Sequence, residues 1–343
     1  MLNILDLSLK DLILWMEQNR QSKFRAKQVF DWIYKKQKLD FSLMTNLPAD
    51  TQQHLNEDFF IGVPKVLQEY KSNIDGTQKF LFQYQDGNII EAVVMKYKHG
   101  NTICISTQIG CRMGCKFCAS TIGGIIRNLS SGEMIGQVIK AEESINDRIS
   151  NVVLMGSGEP LDNFDNVIKF INLINSEESL NIGQRHITLS TCGLVEKIIQ
   201  LADLNLQITL AISLHATNDN MRKEIMPIAN KYTLNELIEA CKYYYNKTKR
   251  RITFEYALVK GINDKRESAE ELCTILRKLP CHVNLIPVNE IEENNYVKSS
   301  INDINVFKNT LTSFGIETTI RREMGGDINA ACGQLRRNYM ESK

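Results

Sequence analysis

The sequence predicts an α/β fold in which helices cover a parallel β-sheet. From about residue 99 onward, short β-branched runs alternate with amphipathic segments of helix length, a pattern typical of parallel strand–helix units. Six such runs follow one another, at residues 102–106, 151–155, 186–190, 207–213, 252–258 and 283–288. Six units in series predict either a doubly wound sheet or a partial barrel. In both folds the active site lies at the carboxyl ends of the strands.

The composition is that of a globular protein. The chain has 343 residues, enough for about two domains. With 43% hydrophobic and 24% charged residues, it is neither disordered nor fibrous. It has no apolar run of the roughly 18 residues that a membrane span needs. Its apolar start is interrupted by Asp6, Lys10 and Asp11 and lacks a signal-peptide cleavage site, so we expect a cytoplasmic protein with no membrane segment.

Residues 1–58 are predicted to form a small helical domain, because segments 9–18 and 24–36 carry apolar residues at three- and four-residue intervals. We expect a core made of Phe24, Val29, Phe30, Trp32, Ile33 and Tyr34. The stretch from Arg20 to Lys38 contains seven basic residues and one acidic residue, although the whole chain has a net charge of only +1. Such a run is typical of a solvated helix face, and the alternative is a contact with RNA.

Residues 59–98 change to a period of two. Three runs, 65–72, 77–85 and 88–97, are separated by the turn signals NIDG and DG, which predicts an antiparallel β extension leading into the next domain. Residues 99–325 then form the predicted core domain, whose first helix begins with a capping box made by Ser130 and Glu133. Residues 326–343 form a C-terminal tail.

Nine cysteines, an odd number, favour reduced thiols over a disulfide framework. Three of them, Cys111, Cys115 and Cys118, are spaced C-x3-C-x2-C in the loop after the first parallel strand. Clustered thiolates select an iron–sulfur cluster, zinc or copper(I). Zinc sites usually have two separated ligand pairs, and the sequence offers no second pair. A [4Fe-4S] cluster held by three cysteines keeps one iron open for another ligand.

Polar groups recur where the predicted strands end. The second strand is followed by MGSGEP, whose glycines allow close backbone approach and whose Glu159 can accept from an ammonium group. His215, taken singly, is more typical of a structural histidine. The candidate cofactor-binding residues at these strand ends are Gly158, Glu159, Pro160, Ser190, Ser213, Leu214, His215 and Asn289.

The three-cysteine spacing is the signature of radical S-adenosylmethionine (SAM) enzymes. Together, GCRMGCKFCAS, MGSGEP, SLHA and RREMGGDINAACGQL, within residues 91–335, resemble the RlmN/Cfr family of RNA adenine methyltransferases. The resemblance implies a radical SAM partial (β/α)6 TIM-like barrel with a small N-terminal helical RNA-binding accessory domain and a short β extension. It also implies one [4Fe-4S] cluster on Cys111, Cys115 and Cys118, with SAM bound at its open iron and by the strand-end residues.

The resemblance further assigns catalytic roles to Cys332, Cys104 and Glu91. One SAM methylates Cys332, and a second SAM yields a 5'-deoxyadenosyl radical that takes a hydrogen from that methyl group. The resulting radical adds to adenine C2, an electron-poor carbon that cannot attack a sulfonium methyl group directly. Cys104 then attacks the sulfur of Cys332, which releases the product and leaves a transient disulfide. Glu91 matches the family's proton acceptor.

Each of these three residues also has a simpler interpretation. Cys332 alone would be a small buried residue, although the basic neighbours Arg321 and Arg322 would favour a nucleophilic thiolate. Cys104 and Ser106 are expected on one strand face, opposite Ile103 and Ile105. Glu91 would be a solvent-facing strand residue, whereas a carboxylate among apolar neighbours could take a proton near neutral pH.

Two alternative functions stay open from the sequence. Cfr-type relatives methylate adenine C8, although the RREMGGDINAACGQL tail resembles the C2 enzymes more. A non-catalytic RNA-binding protein with a structural zinc would leave Cys332 without a role. The resemblance implies two substrates, 23S rRNA and tRNA, the latter modified at the adenosine next to the anticodon. It also implies an electron donor such as flavodoxin, and a monomer.

Segment 242–251, KYYYNKTKRR, is either an RNA contact or a helix end with buried tyrosines.

Overall fold

The computed structural model describes residues 1–289 and 295–330. Its strands are β1 (Leu2–Asn3), β2 (Phe59–Phe60), β3 (Lys65–Lys71), β4 (Gln78–Gln83), β5 (Ile89–Tyr97), β6 (Gly100–Cys104), β7 (Gln108–Gly110), β8 (Ile125–Asn128), β9 (Ile149–Leu154), β10 (Ile187–Thr191), β11 (Thr209–Ser213), β12 (Ile252–Leu258), β13 (Cys281–Pro287) and β14 (Glu317–Ile320). Its α-helices are α1 (Leu9–Gln18), α2 (Phe24–Phe30), α3 (Ala49–Asp58), α4 (Ser131–Ile145), α5 (Phe164–Asn175), α6 (Val195–Asp203), α7 (Asp219–Ile225), α8 (Leu234–Thr248), α9 (Arg266–Leu276) and α10 (Ile301–Ser313).

One sheet of ten strands organises the described part of the chain, in the order β14-β13-β12-β11-β10-β9-β6-β5-β4-β3. Strands β6 and β9 to β14 run parallel to one another, which confirms the predicted α/β class. The predicted β extension is antiparallel, as expected, but β5 pairs with β6, so the extension is one wing of the same sheet. A seventh parallel strand, β14, was not predicted.

The two faces of the sheet have different partners. Along β12, Phe254 and Tyr256 belong to the main hydrophobic core beneath the helices, whereas Glu255 and Ala257 line a cavity on the opposite face. In β6, Ile103 likewise belongs to the main hydrophobic core and Cys104 lies on the opposite face, because successive strand residues point to opposite faces. The helices therefore lie outside a partial barrel, and the inner face carries the site. No helix in the described ranges is both long and apolar enough to cross a membrane.

The N-terminal unit (residues 1–58) is helical, as predicted, with a π-helical turn after α2. Val29, Phe30, Ile33 and Tyr34 are buried. Phe24, predicted to be in the core, is 62% exposed because it begins α2 on the solvent side. Trp32 is half-buried beneath the ammonium of Lys36.

The basic run from Arg20 to Lys38 is largely exposed, and a few of its charges are engaged locally. Lys35 pairs with Asp31 at 2.6 Å, and the half-buried Arg25 donates to the carbonyl oxygen of Asn46 at 3.0 Å. In segment 242–251, the hydroxyl of Tyr243 donates to Asp203, while Tyr244 is buried in the core. That segment packs as the helix end that the sequence allowed, and RNA contact by either region stays a prediction.

The N-terminal unit docks on α4 through glycines. Asp6 Oδ1 accepts hydrogen bonds from Ser131 Oγ and Gly132 N, both at 2.6 Å. A Cβ added to Gly136 would lie 2.7 Å from the carbonyl oxygen of Gly62, closer than real Cβ atoms approach. This contact holds α4 against residues 62–64, which link the N-terminal unit to β3, and a Cβ on Gly132 would likewise lie 2.8 Å from Asp6 N in the N-terminal unit.

Gly136→Ala is expected to destabilise the protein by about 1–3 kcal/mol, because the added methyl group overpacks this contact. In an ordinary helix interior the same change stabilises by roughly 0.5–1 kcal/mol, so the sign is diagnostic. Urea unfolding followed by tryptophan fluorescence measures the change in the free energy of unfolding, since both tryptophans, Trp15 and Trp32, lie in the N-terminal unit. Gly183→Ala is the control, because there the new Cβ meets only His186 at 3.6 Å. A Gly136→Ala protein more stable than wild type would contradict the docking.

Candidate functional site

The three-cysteine loop connects the two strands of a small hairpin, which was not predicted from the sequence. Strands β7 and β8 pair antiparallel on either side of the loop. Gly110 has φ +75°, and a Cβ there would lie 2.0 Å from the carbonyl oxygen of Gly124. Cys111 N donates to the same oxygen at 3.2 Å, so only glycine closes the base of the loop.

Within the loop the cysteines are held by backbone bonds. Cys118 N donates to the carbonyl oxygen of Cys115 at 3.1 Å, and Lys116 N donates to that of Ile225 in α7 at 3.0 Å. Cys111 and Cys115 are buried and Cys118 is half-buried. Burial raises the pKa of the Cys111 thiol to about 12, and the negative charges of Glu159 and Cys118 add to the effect. Buried thiols of this kind ionise only when a cation compensates them.

The donor set fits a four-iron cluster. All three thiols line one cavity together with the ends of β9 to β13. No group of His, Cys, Asp or Glu side chains in residues 1–289 and 295–330 is arranged to hold a single metal ion. Three thiolates suit a four-iron cluster, because they leave one iron open to another ligand, whereas structural zinc sites usually have four protein ligands.

This cavity, the cluster cavity, encloses about 940 Å³ including the part open to solvent. The structure brings seven of the eight predicted cofactor-binding residues to its wall: Gly158, Glu159, Pro160, Ser190, Ser213, His215 and Asn289. The side chain of Leu214 lies instead in the main core. Its neighbours Ser213 and His215 line the cavity, whereas the Leu214 side chain points to the helix side of the sheet.

The glycines of MGSGEP line the cluster cavity and also allow close packing within the protein. A Cβ on Gly156 would lie 2.6 Å from the carbonyl oxygen of Ile105, and one on Gly158 would lie 2.7 Å from Gln108 Cβ. Both glycines thus allow the end of β9 to lie against the chain that follows β6. The close approach in this structure is to the protein's own backbone.

Glu159 is buried and joins two strand ends. Its Oε1 accepts from Leu161 N at 3.0 Å and its Oε2 from Cys192 N at 2.8 Å. Burial raises the pKa of Glu159, against the lowering effect of these hydrogen bonds. A carboxylate has about four acceptor positions, so both oxygens keep capacity for an ammonium group in the cavity.

His215 is a buried histidine in the left-handed conformation, with φ +58°. Its Nδ1 accepts from Ala257 N at 2.8 Å, and its ring packs edge-on against Phe117, with ring centroids 4.6 Å apart. Burial lowers the pKa of His215 to about 3, and the charge of Arg222 contributes. The imidazole is therefore neutral, and its hydrogen-bond pattern assigns the proton to Nε2. His215 is both a structural residue and part of the cavity wall.

This burial predicts a pH dependence of stability. Below about pH 6.5 the unfolded chain protonates residue 215 while the folded chain does not, so stability is full above that value and falls as pH drops towards 3. Between pH 7.5 and 5.5 the loss from this residue is about 1.4 kcal/mol. Asn tolerates a left-handed backbone. In His215→Asn the decrease in the free energy of unfolding between pH 7.5 and 5.5 should be smaller by that amount. Urea unfolding followed by circular dichroism measures it.

The exposed His99 provides the control, because His99→Asn removes an imidazole from the surface and should keep the wild-type pH dependence. Equal pH dependence in wild type and His215→Asn would contradict the assignment.

Cys104 lies in a second cavity, which we call the thiol cavity. Its wall includes Cys104, Met95, Met324 and Ala330, and four residues are common to both cavities: Met155, Ile286, Asn289 and Arg321. Cys104 and Ser106 face inward and Ile103 and Ile105 outward, which confirms the predicted alternation. Cys332 lies outside the described residues. The eight described cysteines form no disulfide with one another.

Glu91 is buried on the inner face of β5 and does not face solvent. Lys79 Nζ lies 3.4 Å from Glu91 Oε1 and donates to the carbonyl oxygen of Asn329 at 3.2 Å. Glu91 is thereby connected through Lys79 to the segment that precedes Cys332.

The segment before Cys332 is held by the β extension. Gly325 N donates to Asp75 Oδ2 at 2.9 Å, and Asn73 N donates to Asp327 Oδ2 at 3.1 Å. Both partners lie in the turn between β3 and β4. Residues 325–330 are therefore attached to the far wing of the sheet, beside the thiol cavity.

Glu255 and Arg321 also line the cluster cavity; Glu255 was not predicted, and Arg321 was predicted only as a basic neighbour of Cys332. Glu255 is 4% exposed and accepts from Asn284 Nδ2 at 3.0 Å, and Arg321 Nη1 lies 3.9 Å from its Oε2. Burial raises the pKa of Glu255, while Arg321 opposes the rise. The signal in the sequence is a charged residue in the middle of the apolar run ITFEYAL. Cys192, left unassigned from sequence, also lines this cavity.

Comparisons with known proteins agree with this geometry. Residues 105–273 match the model of the radical SAM superfamily, and residues 2–61 match that of the ribosomal RNA large subunit methyltransferase N-terminal domain. The chain is 68% identical over 342 residues to a probable dual-specificity RNA methyltransferase RlmN of Clostridium novyi, covering 100% of both chains. It is 64% identical to the corresponding protein of Clostridium tetani, covering 100% of this chain and 98% of that one.

A solved structure matches over nearly the whole chain. The crystal structure of a radical SAM methyltransferase from Sphaerobacter thermophilus superimposes with a TM-score of 0.95 at 39% identity, covering 98% of this chain and 100% of that one. The barrel and its three-cysteine cavity thus define a radical SAM enzyme, the class whose cofactors are a [4Fe-4S] cluster and SAM. At this identity over its full length, the chain belongs to the RlmN family of radical SAM RNA methyltransferases.

Proposed function

We propose that this protein methylates the C2 carbon of adenine in 23S rRNA and in tRNA, at the adenosine next to the anticodon, using two molecules of SAM. The observation that carries the proposal is the pair of adjoining cavities. One contains the three thiols and the strand-end polar groups, and the other contains Cys104 beside the segment that leads to Cys332. The names of the curated relatives, dual-specificity RNA methyltransferases, support RNA as the substrate.

The residues of this chain divide the work between the two cavities. Cys111, Cys115 and Cys118 would hold the cluster, and Glu159, with the polar strand ends, would bind SAM beside it. When bound, these cofactors supply a 5'-deoxyadenosyl radical able to remove a hydrogen atom from a methyl group. Met155, Asn289 and Arg321 line both cavities. The radical formed in one cavity would therefore lie next to the methyl group on Cys332, while the two groups keep separate binding sites.

In the proposed reaction, Cys332 would carry the methyl carbon and bond it to adenine C2. After the adduct has lost one electron, Glu91 would accept the proton released from C2. The Cys104 thiolate would then attack the sulfur of Cys332 and form a disulfide, and the carbon released from that sulfur would take up a proton to complete the methyl group. A cellular thiol would reduce the disulfide. A disulfide that must be reduced after every turnover suits a reducing compartment, so we place the protein in the cytoplasm.

The same proposal extends to domains and partners. Residues 1–58 would contact the RNA, residues 59–98 would form the extension, residues 99–325 the radical SAM core and residues 326–343 the catalytic tail. The exposed lysines of the basic run support the first assignment, because phosphate contacts need accessible cations. The protein would act as a monomer and receive electrons from a donor such as flavodoxin.

The test is anaerobic incubation of the cluster-loaded protein with SAM, a reductant and either 23S rRNA or tRNA, followed by mass spectrometry of the nucleosides. We expect 2-methyladenosine in both RNAs. Finding 8-methyladenosine would reject the C2 assignment. An intact cluster without methylated adenosine would reject RNA adenine methylation altogether, and a colourless zinc-containing protein would reject the cluster.

A further inference from the structure

Arg222 in α7 has a fully buried, charged side chain, with 0% of its surface exposed. Lys and Arg are almost never fully buried unless they are paired, because removing a charge from water is costly. No carboxylate in the described ranges forms an ion pair with Arg222, and its Nη1 has no hydrogen-bond partner there. The charge of Asp219, three residues earlier in α7, acts on the guanidinium without a direct ion pair.

The hydrogen bonds that Arg222 does make join two strand ends at the cluster cavity. Its Nη2 donates to the carbonyl oxygens of Cys192 at 2.6 Å and Ser213 at 3.3 Å, and its Nε donates to that of Leu214 at 3.3 Å. These oxygens lie at the carboxyl ends of β10 and β11, beside Ser213 and His215 in the cavity wall. Carbonyl groups satisfy the N–H donors but do not neutralise the charge.

The helix that carries Arg222, α7, packs against the three-cysteine loop. Lys116 N, between two of the cysteines, is hydrogen-bonded to Ile225 three residues after Arg222. Cys115, Cys192, Ile225 and Met226 pack in one cluster of buried side chains. Arg222 lies in the same helix as Ile225 and donates to the carbonyl oxygen of Cys192, so its guanidinium is held beside the buried side chains that surround Cys115.

We propose that Arg222 is a positioning residue that supplies the buried positive charge for the thiolate-bound [4Fe-4S] cluster and makes that cluster easier to reduce. Three thiolates and a four-iron core form an anion, and accepting one electron from a donor adds one more negative charge while no bond forms or breaks. A fixed cation in a medium of low dielectric constant stabilises the reduced form more than the oxidised form. The inference rests on the proposed cluster site and adds to it a residue that touches neither SAM nor RNA.

The test is the midpoint potential of the cluster, measured without RNA. Wild type, Arg222→Met, Arg222→Lys and Arg112→Met are loaded with iron and sulfide anaerobically, their iron content is determined, and each is titrated with dithionite while electron paramagnetic resonance follows the reduced cluster. We expect a shift to more negative potential in Arg222→Met and a potential near wild type in Arg222→Lys. Arg112→Met should shift little, because Arg112 lies in the same loop but is exposed and already paired with Asp162.

Each outcome decides the proposal. A cluster with wild-type potential in Arg222→Met would overturn it, and so would equal shifts in the Met and Lys variants, since a shared effect would come from lost hydrogen-bond geometry. If Arg222→Met holds no cluster, the Lys variant decides: a loaded cluster near wild-type potential supports the charge role, and an empty one overturns it. A wild-type protein with a cluster but no methylated RNA would count against the proposed function alone.

Discussion

Replacing Cys111, Cys115 and Cys118 together by Ala is expected to give a colourless protein that binds no iron and methylates no RNA. The three thiols line the wall of one cavity, and within the described residues no other group of side chains is arranged to hold metal. Loss of all three ligands therefore leaves nothing to bind the cluster. Iron content and visible absorbance after anaerobic loading measure the first effect, and nucleoside mass spectrometry measures the second.

The controls are two other buried cysteines. Cys241→Ala and Cys273→Ala remove thiols that belong to the main hydrophobic core. Both proteins should stay brown and active, which separates loss of ligands from loss of a buried sulfur. Circular dichroism should show that the triple variant keeps its secondary structure. Wild-type iron content in the triple variant would refute the assignment of the ligands.

The second large effect is a contrast between Cys332→Ala and Cys104→Ala. Both variants should load the cluster and give no multiple turnover. In Cys332→Ala no carbon can be carried to the RNA, so neither methylated adenosine nor a covalent adduct should form. In Cys104→Ala the carbon bonds to the RNA but nothing attacks the sulfur of Cys332, so a covalent RNA–protein adduct should accumulate. Labelled RNA on a denaturing gel distinguishes the two outcomes.

Cys281→Ala is the matched control for this pair, because it removes a half-buried thiol that lines neither cavity. It should turn over repeatedly and leave no adduct. Multiple turnover by Cys104→Ala would show that another group releases the product, and an adduct in Cys332→Ala would show that the carbon is carried elsewhere.

The parallel sheet could be predicted because its strands are apolar runs with regular helices between them. The strand β14 could not, since Glu317–Ile320 is short, rich in threonine and partly exposed. The hairpin around the cysteine loop was missed for a different reason. Its two strands have three and four residues, and the whole cysteine loop separates them. Neither segment is long enough for its period to be read from the sequence.

The candidate site was predictable where a motif lies directly at a strand end. Cys111, Glu159 and His215 were found in this way and do line the cluster cavity. Contacts between distant segments could not be read from sequence. The surroundings of Arg222 depend on carbonyl groups at the ends of two other strands, and those of Glu91 on Lys79 from the adjacent strand. Leu214 shows the complementary limit, because a motif does not tell which of its residues points inward.

The attachment of residues 325–330 to the turn between β3 and β4 has a kinetic consequence. Residues 325–330 lie beside the cavity that holds Cys104, and Cys332 follows two residues later in the sequence. Two groups joined by a short stretch of chain have an effective concentration in the millimolar range, independent of how dilute the protein is. The reaction between Cys332 and Cys104 is then intramolecular. How often the two residues meet depends on the turn between β3 and β4, in the extension that the sequence predicted only as a lead into the next domain.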